Sequence, residues 1–376
     1  MTDRTCGFST WLEIDLAAIA ENVDQMRRLT GVAVMAVVKA NGYGHGVIPV
    51  AKTAVEAGAA FCGVARIEEA LELRTAGLTV PVLVLGETPA DRMLQAVDAD
   101  VSLTVFRDDH LEILRQTVES TNNHAKVHLK VDTGMSRLGI APNRALDFLQ
   151  ALSQIPGVTV EGLFTHFARA DEPRVAATEH QDRLMHELVE DVTAAGLRPR
   201  LVHAANSAAA LTRPSSRYDM VRPGIAIYGM NPSAEVRLPS NFRRALTWKA
   251  RITQVRQLPP GTGVSYGHAY VTTGEERIGV VPVGYGDGYR REDGNRVLVG
   301  GRAVPVRGRV CMDQLMIDLT DMPTVEAGEE VVLLGEQGPA IIRASDLAKT
   351  WGSLNYEVTC GLNARVPRLY ENGAWS

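Results

Sequence analysis

The stretch Val32-Ala33-Val34-Met35-Ala36-Val37-Val38-Lys39-Ala40-Asn41-Gly42-Tyr43-Gly44-His45-Gly46 decides how the rest of the chain is read. Its first seven residues are all apolar, mostly small or β-branched. Such a run reads as a strand buried on both faces, as strands of parallel sheets are. Lys39 ends the run. A turn rich in glycine follows, and a helical pattern starts at Val47. Parallel α/β folds place their chemistry at the C-terminal ends of strands, which is where this lysine falls. Burial lowers a lysine's pKa and makes its amine a usable nucleophile or base. On position alone, a solvated loop lysine is an equal alternative.

Outward from this stretch, strand and helix patterns alternate. Ile14 to Leu29 reads as a helix with Asp15 as a candidate N-cap. Strand patterns follow at Ala60–Ala65, Val80–Leu85, Val101–Phe106, Lys126–Val131, Val158–Phe164, Leu201–Ala205 and Met220–Val221. Helical patterns lie between them at Ile67–Arg74, Asp108–Glu119, Arg144–Ser153 and Arg174–Ala194. With the strand before Lys39, this is the alternation of a (β/α)8 TIM-type barrel, whose typical size is ~250 residues. A doubly wound open sheet competes, because periodicity does not show closure. Near Pro239 the character changes. Short strand patterns at Trp248–Val255, Arg277–Val283, Arg296–Val299, Ala303–Val306, Met316–Leu319 and Glu330–Leu334 are separated by Gly, Pro and Asp. They read as a mainly antiparallel β domain. The expected division is an α/β barrel over 12–240 and a β domain over 241–376, with residues 1–11 available to pair with the latter.

Bulk properties narrow the function class. The chain has 376 residues, 45% hydrophobic and 22% charged, which suits a folded chain of about two domains. A net charge of −5 with no basic stripe gives no reason to expect nucleic acid. Cys6, Cys62, Cys311 and Cys360 are scattered, so neither a metal site nor a disulfide framework is expected. No apolar run approaches ~18 residues, and Met1 to Cys6 carries no apolar signal segment. A cytoplasmic protein without membrane contact is the expectation.

In a barrel, the strand ends share one face. Here they carry Lys39, Arg66, Lys130 to Thr133, His166, His203, Asn206 and Arg222. This basic, polar ring implies an anionic or electron-rich ligand. The last two turns hold Asn206-Ser207 and Gly224-Ile225, where such barrels bind phosphate on backbone N–H groups. Ser207 reads as a cap for a short helix, and Gly224 allows close approach. A phosphorylated ligand beside a strand-end lysine points to pyridoxal 5'-phosphate, whose aldehyde condenses with lysine and whose pyridine nitrogen meets a protein group. Arg222 is placed for that second role, with His166 and His203 in the cofactor shell.

These residues fall in motifs. They include Ala36 to Gly46, Lys130-Val131-Asp132-Thr133-Gly134-Met135-Ser136-Arg137-Leu138-Gly139, Gly162 to Phe167, His203-Ala204-Ala205-Asn206-Ser207 and Val221-Arg222-Pro223-Gly224-Ile225. The second domain adds Val264-Ser265-Tyr266-Gly267, Gly284 to Tyr289, Val310-Cys311-Met312-Asp313-Gln314 and Asn355-Tyr356-Glu357-Val358. In this order, over nearly the whole chain, they resemble the alanine racemase family. The resemblance implies a head-to-tail homodimer whose active sites combine one barrel with the partner's β domain. It implies Lys39 and Tyr266 as the two catalytic bases, and cofactor contacts from Tyr43, His166, His203, Asn206, Ser207, Arg222, Gly224, Ile225 and Tyr356. It places Arg137 and Met312 at the substrate carboxylate, with Lys130, Cys311, Asp313 and Tyr285 in support. Lys130 matches a lysine that is carbamylated in some members. D-alanine for peptidoglycan would be the product.

Racemisation removes a proton from one face of Cα and returns it to the other, so two opposed bases suit it. A tyrosine ordinarily titrates near ~10 and needs help to act as a base at neutral pH. Arg222 argues against a decarboxylase, which generally sets a carboxylate at the pyridine nitrogen. A non-catalytic cofactor-binding protein would leave Tyr266 and Met312 without a purpose. A broader or serine-directed racemase remains a reading that the motifs allow.

Overall fold

The computed structural model describes residues 7–121, 123–172 and 175–373. The chain forms two units. One comprises residues 17–43 and 47–244, the other the described residues through 16, 44–46 and those from 245 on. The first strand, β1 (Thr10–Asp15), therefore belongs with the C-terminal part of the chain.

The larger unit is built on eight parallel strands: β2 (Ala33–Val37), β3 (Phe61–Val64), β4 (Val82–Val84), β5 (Val101–Val105), β6 (Ala125–Lys130), β7 (Val158–Phe164), β8 (Leu201–His203) and β9 (Met220–Val221). They run in the order β8-β7-β6-β5-β4-β3-β2-β9. The Asp219 N–H donates to Val202 O at 3.0 Å and the Arg222 N–H to Ala205 O at 2.9 Å, so isolated bonds close the ring between β8 and β9. This decides for the barrel over an open sheet. β3, β4 and β5 are buried throughout, as their runs of Val, Leu, Phe and Cys require. Met35, Phe61, Leu83, Leu201 and Met220 pack together inside. Helices follow the strands at Val47–Glu56, Ile67–Thr75, Ala90–Asp98, Asp109–Thr121, Ala145–Ser153, Ala176–Ala194 and Ser207–Thr212. Arg174, taken as the start of the long helix, lies outside the described residues.

The smaller unit is mainly antiparallel. One sheet runs Arg302–Pro305, Arg296–Val299, Glu330–Gln337, Leu246–Arg251, β1, Arg368–Glu371. β1 pairs antiparallel with Leu246–Arg251 and parallel with Arg368–Glu371. A second sheet joins Gln254–Leu258, Glu276–Val281 and Leu315–Asp318, and a hairpin joins Gly263–Val264 to Tyr270–Val271.

Two expectations are corrected. The first helix is Leu16–Thr30, not Ile14 to Leu29. Ile14 and Asp15 are strand residues, because Ile14 pairs with both Leu246 and Tyr370. The alternation in Thr10–Asp15 buries Trp11, Leu12 and Ile14, and that pairing outweighs the helical spacing that overlaps it. Trp248 to Val255 is two strands, since the chain leaves one sheet at Arg251 and enters another at Gln254.

Candidate active site

Lys39 follows β2 on a turn of unusual hand. Ala40, Asn41, Gly42 and Tyr43 have φ of 54°, 53°, 60° and 53°. This is one left-handed helical turn, and the Gly42 N–H donates to Val38 O at 2.8 Å across it. Left-handed residues other than glycine cost about 1–2 kcal/mol each, so the turn needs support. Glu69 supplies it. Its carboxylate accepts the Ala40 N–H at 2.7 Å, the Ala65 N–H at 2.7 Å and the Arg66 N–H at 3.2 Å. Asn41 then accepts the Val47 N–H at 2.9 Å and begins the next helix.

Arg222, just past β9, is buried to 4% exposure. Its guanidinium donates to His203 O (2.7 Å), Thr165 O (2.7 Å), Ala204 O (3.0 Å) and His203 Nδ1 (2.9 Å), with His166 Nδ1 at 3.4 Å. None of these acceptors is a carboxylate. Burial lowers its pKa to about 9. Burial and the charges of Arg222, Lys130, Arg137 and Lys39 hold His166 well below its ordinary value. Burial also drives Lys130 well below the usual lysine range, with Arg222 and Arg137 adding to the effect. The Lys130 ammonium sits 4.4 Å over the Phe164 ring. The mouth thus gathers the basic side chains Arg222, Lys130, Arg137 and Lys39, a setting for an anion.

On the same rim, Ser207 Oγ accepts the Gly224 N–H at 3.0 Å and the Ala226 N–H at 3.3 Å. The helix it starts is capped by Asn206, whose Oδ1 accepts the Ala209 N–H at 3.0 Å, so Asn206 and not Ser207 is the cap. Gly224 precedes the short helical turn Ile225–Tyr228. A Cβ at Gly224 would fall 2.2 Å from Tyr43 Oη, so any larger residue forces the tyrosine or the turn to shift. Tyr43 stacks on Tyr228 at 4.9 Å.

Arg137 is exposed on a loop that Asp132 gathers by accepting the N–H groups of Gly134, Met135 and Ser136 at 3.0, 2.9 and 3.0 Å. Gln181 braces the loop's base. It donates to Thr133 Oγ1 at 3.3 Å and His166 O at 3.0 Å and accepts the Ala168 N–H at 2.9 Å.

In the smaller unit, Tyr266 is 67% exposed and Met312 is 53% exposed. Ser265 beside Tyr266 has φ 67°, and its hydroxyl donates to Arg309 O at 2.5 Å and lies 3.7 Å from Cys311 Sγ. The Tyr285 N–H donates to Cys311 O at 3.0 Å and the Gly286 N–H to Met312 O at 2.9 Å. Arg365 ties this turn down, bonding Asp287 at 2.7 Å and Asp313 at 2.8 Å. Tyr356 is half-buried at the start of the helix Asn355–Cys360. The sequence reading missed Glu69, Gln181 and Arg365 as supports. Glu69 alone left a trace, as a glutamate in the first turn after a strand-end residue.

The N-terminal domain model of alanine racemase matches residues 14–232 and the C-terminal domain model matches residues 245–370. The chain belongs to the alanine racemase family. It is 45% identical to the alanine racemase of Halothermothrix orenii over 367 residues, covering 96% of this chain and 97% of that one. Identity to the Symbiobacterium thermophilum enzyme is 43% over 364 residues, with 96% and 97% covered. The Streptomyces coelicolor alanine racemase structure superposes with a TM-score of 0.93 at 39% identity, covering 99% of this chain and 100% of that one. The Bacillus anthracis alanine racemase, solved with bound L-Ala-P, gives 0.91 at 40% identity, covering 97% and 95%. Membership makes the chain an enzyme, an isomerase acting as an alanine racemase. Among the described residues no helix is long and apolar enough to cross a membrane.

Proposed function

We propose that this enzyme interconverts L- and D-alanine with pyridoxal 5'-phosphate seated in the barrel mouth, using Lys39 and Tyr266 as opposed bases, and supplies D-alanine for peptidoglycan in the cytoplasm. Arg222 carries the reading: a buried cation held through Nη1 and Nη2 by neutral acceptors, in the charge cluster that includes Lys39. The residues fit the cofactor. At one end Tyr43 Oη, Ser207 and the backbone of Gly224 and Ile225 form a cradle that a Cβ at Gly224 would fill, suited to phosphate. Asn206 shapes that end by capping the helix that begins at Ser207. At the other end Arg222, flanked by His166 and His203, suits the pyridine nitrogen. Tyr356 would close the phosphate side.

When bound, the cofactor supplies an aldehyde for Lys39 and an electron sink that acidifies the substrate Cα–H. Lys39 holds or releases a proton at Nζ on one face. Tyr266 does so at Oη on the other, contributed by a second copy of the chain in a homodimer. The exposure of Tyr266 and Met312 supports such a partner. Arg137 would orient the carboxylate together with the partner copy's Met312 N–H, while Asp313, Cys311 and Tyr285 hold that turn. Burial that lowers the Lys130 pKa favours the uncharged amine that carbamylation needs, and the carbamate would set a negative charge beside Arg137. Arg222 would disfavour a proton on a pyridine nitrogen held beside it, which would steer the reaction away from transamination.

The test offers purified protein separate L-amino acids, with product chirality and cofactor absorbance read together. Racemisation of alanine, lost in Lys39→Ala, is expected. A preference for serine or larger amino acids, or carbon dioxide release, would overturn the substrate or reaction assignment. Tyr266→Phe is expected to slow Cα–H exchange from one enantiomer far more than from the other, since a general acid–base group contributes about 10²–10⁴-fold. Equal losses from both enantiomers in a dimer that retains cofactor would overturn the two-base assignment.

A further inference from the structure

Behind Arg222 a line of polar groups runs through the barrel interior, and nothing in the proposed reaction uses its far end. His203 Nδ1 faces the Arg222 guanidinium at 2.9 Å. His203 Nε2 faces His128 Nδ1 at 2.8 Å. His128 Nε2 faces Glu161 Oε2 at 3.2 Å. Glu161 also accepts from Ser102 at 3.0 Å and from Arg200, two-thirds exposed, at 3.0 Å. His128 and His203 are both fully buried at 0% exposure. Phe164 stacks on His203 at 4.8 Å and meets His128 edge-on, so the walls are aromatic.

The line has one consistent direction. An arginine only donates, which favours an accepting Nδ1 on His203. A neutral His203 then carries its proton on Nε2 and donates to His128 Nδ1. A neutral His128 carries its proton on Nε2 and donates to Glu161. From the other end, an ionised carboxylate only accepts, which dictates the same two tautomers. Burial raises the Glu161 pKa, but bonds from His128, Ser102 and Arg200 outweigh it and bring the value to about 2. Burial keeps both histidines below their ordinary value, with Arg222 opposing a charge on either.

The backbone is built around this line. The β6–β7 ladder slips between Val127 and His128: Val127 pairs with Val160 but His128 with Gly162. Glu161 is the extra residue, and such bulges re-aim side chains. A Cβ at Gly162 would lie 2.0 Å from His128 Nδ1, so glycine there makes room for the ring.

We propose that Glu161 and His128 are positioning residues that lock His203 in its Nε2-protonated form, and so keep an acceptor on Arg222. One added proton would reverse the line. A charged His128 would donate from Nδ1, His203 would move its proton to Nδ1, and two donors would meet at Arg222. The charged and titratable groups around the line are Lys130 on β6, Glu161 on β7, His166 just after β7, Arg200 just before β8, and Arg222 past β9. The proposal rests on Arg222 as the cofactor's partner for its effect on the reaction, but the tautomer itself can be read without cofactor.

The experiment records side-chain 15N spectra of histidine-labelled enzyme, with and without pyridoxal phosphate, for wild type, Glu161→Gln and Glu161→Asp. A single Nε2–H form of His128 and His203 in wild type is expected. In Glu161→Gln, where the amide can accept or donate, His203 is expected to populate both tautomers. Its kcat for alanine should fall about tenfold with KM changed less, the lower end of what outer partners of metal-bound histidines contribute. Glu161→Asp should restore the single tautomer and most of kcat. Arg200→Gln, at the exposed end, tests the line if Glu161→Gln does not fold. It should move the acid limb of the kcat profile to higher pH. A wild-type His203 protonated on Nδ1, an unchanged tautomer in Glu161→Gln, or an unmoved acid limb in Arg200→Gln would each overturn the inference. Should the protein show no cofactor-dependent racemisation, the proposed function fails and the cofactor-free spectra still decide the tautomer.

Discussion

Tyr43 and Gly224 share one space: a Cβ at position 224 would lie 2.2 Å from the Tyr43 hydroxyl oxygen. Gly224→Ala must therefore push the tyrosine or the rim aside. Overpacking costs about 1–3 kcal/mol, and about 1.4 kcal/mol is tenfold in affinity. Pyridoxal-phosphate affinity, measured by absorbance titration, is expected to fall about tenfold or more, and Tyr43→Phe in the same chain should recover part of it. Unchanged affinity in Gly224→Ala would count against a phosphate cradle here.

Glu69 braces the left-handed turn after Lys39 through three backbone N–H groups. Glu69→Leu would leave these donors without the carboxylate, at about 1–3 kcal/mol for each one that water cannot reach. The urea midpoint is expected to drop, and cofactor loading at Lys39 to slow. Glu69→Gln, with one acceptor oxygen, should fall between the two. A Glu69→Leu protein that loads at the wild-type rate would show that the turn holds itself.

Arg222→Glu exchanges a cation for a group that favours a proton on the nitrogen facing it. Pyruvate formed per racemisation event is expected to rise. An unchanged ratio, in protein that still binds cofactor, would remove Arg222 from control of reaction type.

The buried histidines set an acid limit. His128, His166 and His203 all have pKa values lowered by burial. Below about pH 6.5 the unfolded chain binds protons that the folded chain refuses, so the unfolded state binds more and stability falls as pH falls. Each histidine contributes up to about 1.4 kcal/mol per pH unit in that window. Glu161 extends the loss, from its ordinary 4.5 down to about 2. Urea midpoints between pH 7.5 and 5, at constant protein and cofactor concentration, should decline below ~6.5; a flat series would refute it.

Much of this was legible in the chain itself. The strands Phe61–Val64, Val82–Val84 and Val101–Val105 fall inside the stretches that their largely apolar runs suggest, because buried parallel strands leave such signatures. Lys39 and Arg222 stand out because charges follow such runs. β1 was misread because its pairing partners lie more than 200 residues away, and local spacing carries no trace of them. Glu161 and His128 escaped for a similar reason. A bulge and a glycine bring them together, and neither residue type nor spacing announces a bulge. Glu69 and Gln181 act mainly on backbone groups, which every residue has, so their targets leave no mark on the sequence; Arg365 reaches the carboxylates of Asp287 and Asp313, which lie far from it along the chain.

β1 has a consequence for how the protein is made. Thr10–Asp15 is synthesised more than 200 residues before its partners, Leu246–Arg251 and Arg368–Glu371. At about 5–20 residues per second, a ribosome needs roughly 20–70 s between the first strand and the last. Until Leu246–Arg251 is made, Leu12 and Ile14 on one face and Trp11 on the other lack their native strand neighbours, and both edges are open to pairing with another nascent chain; the edge that takes Arg368–Glu371 stays open longest. All eight barrel strands are made in that interval, so β1 must be kept from other chains while a whole domain is synthesised ahead of its partners.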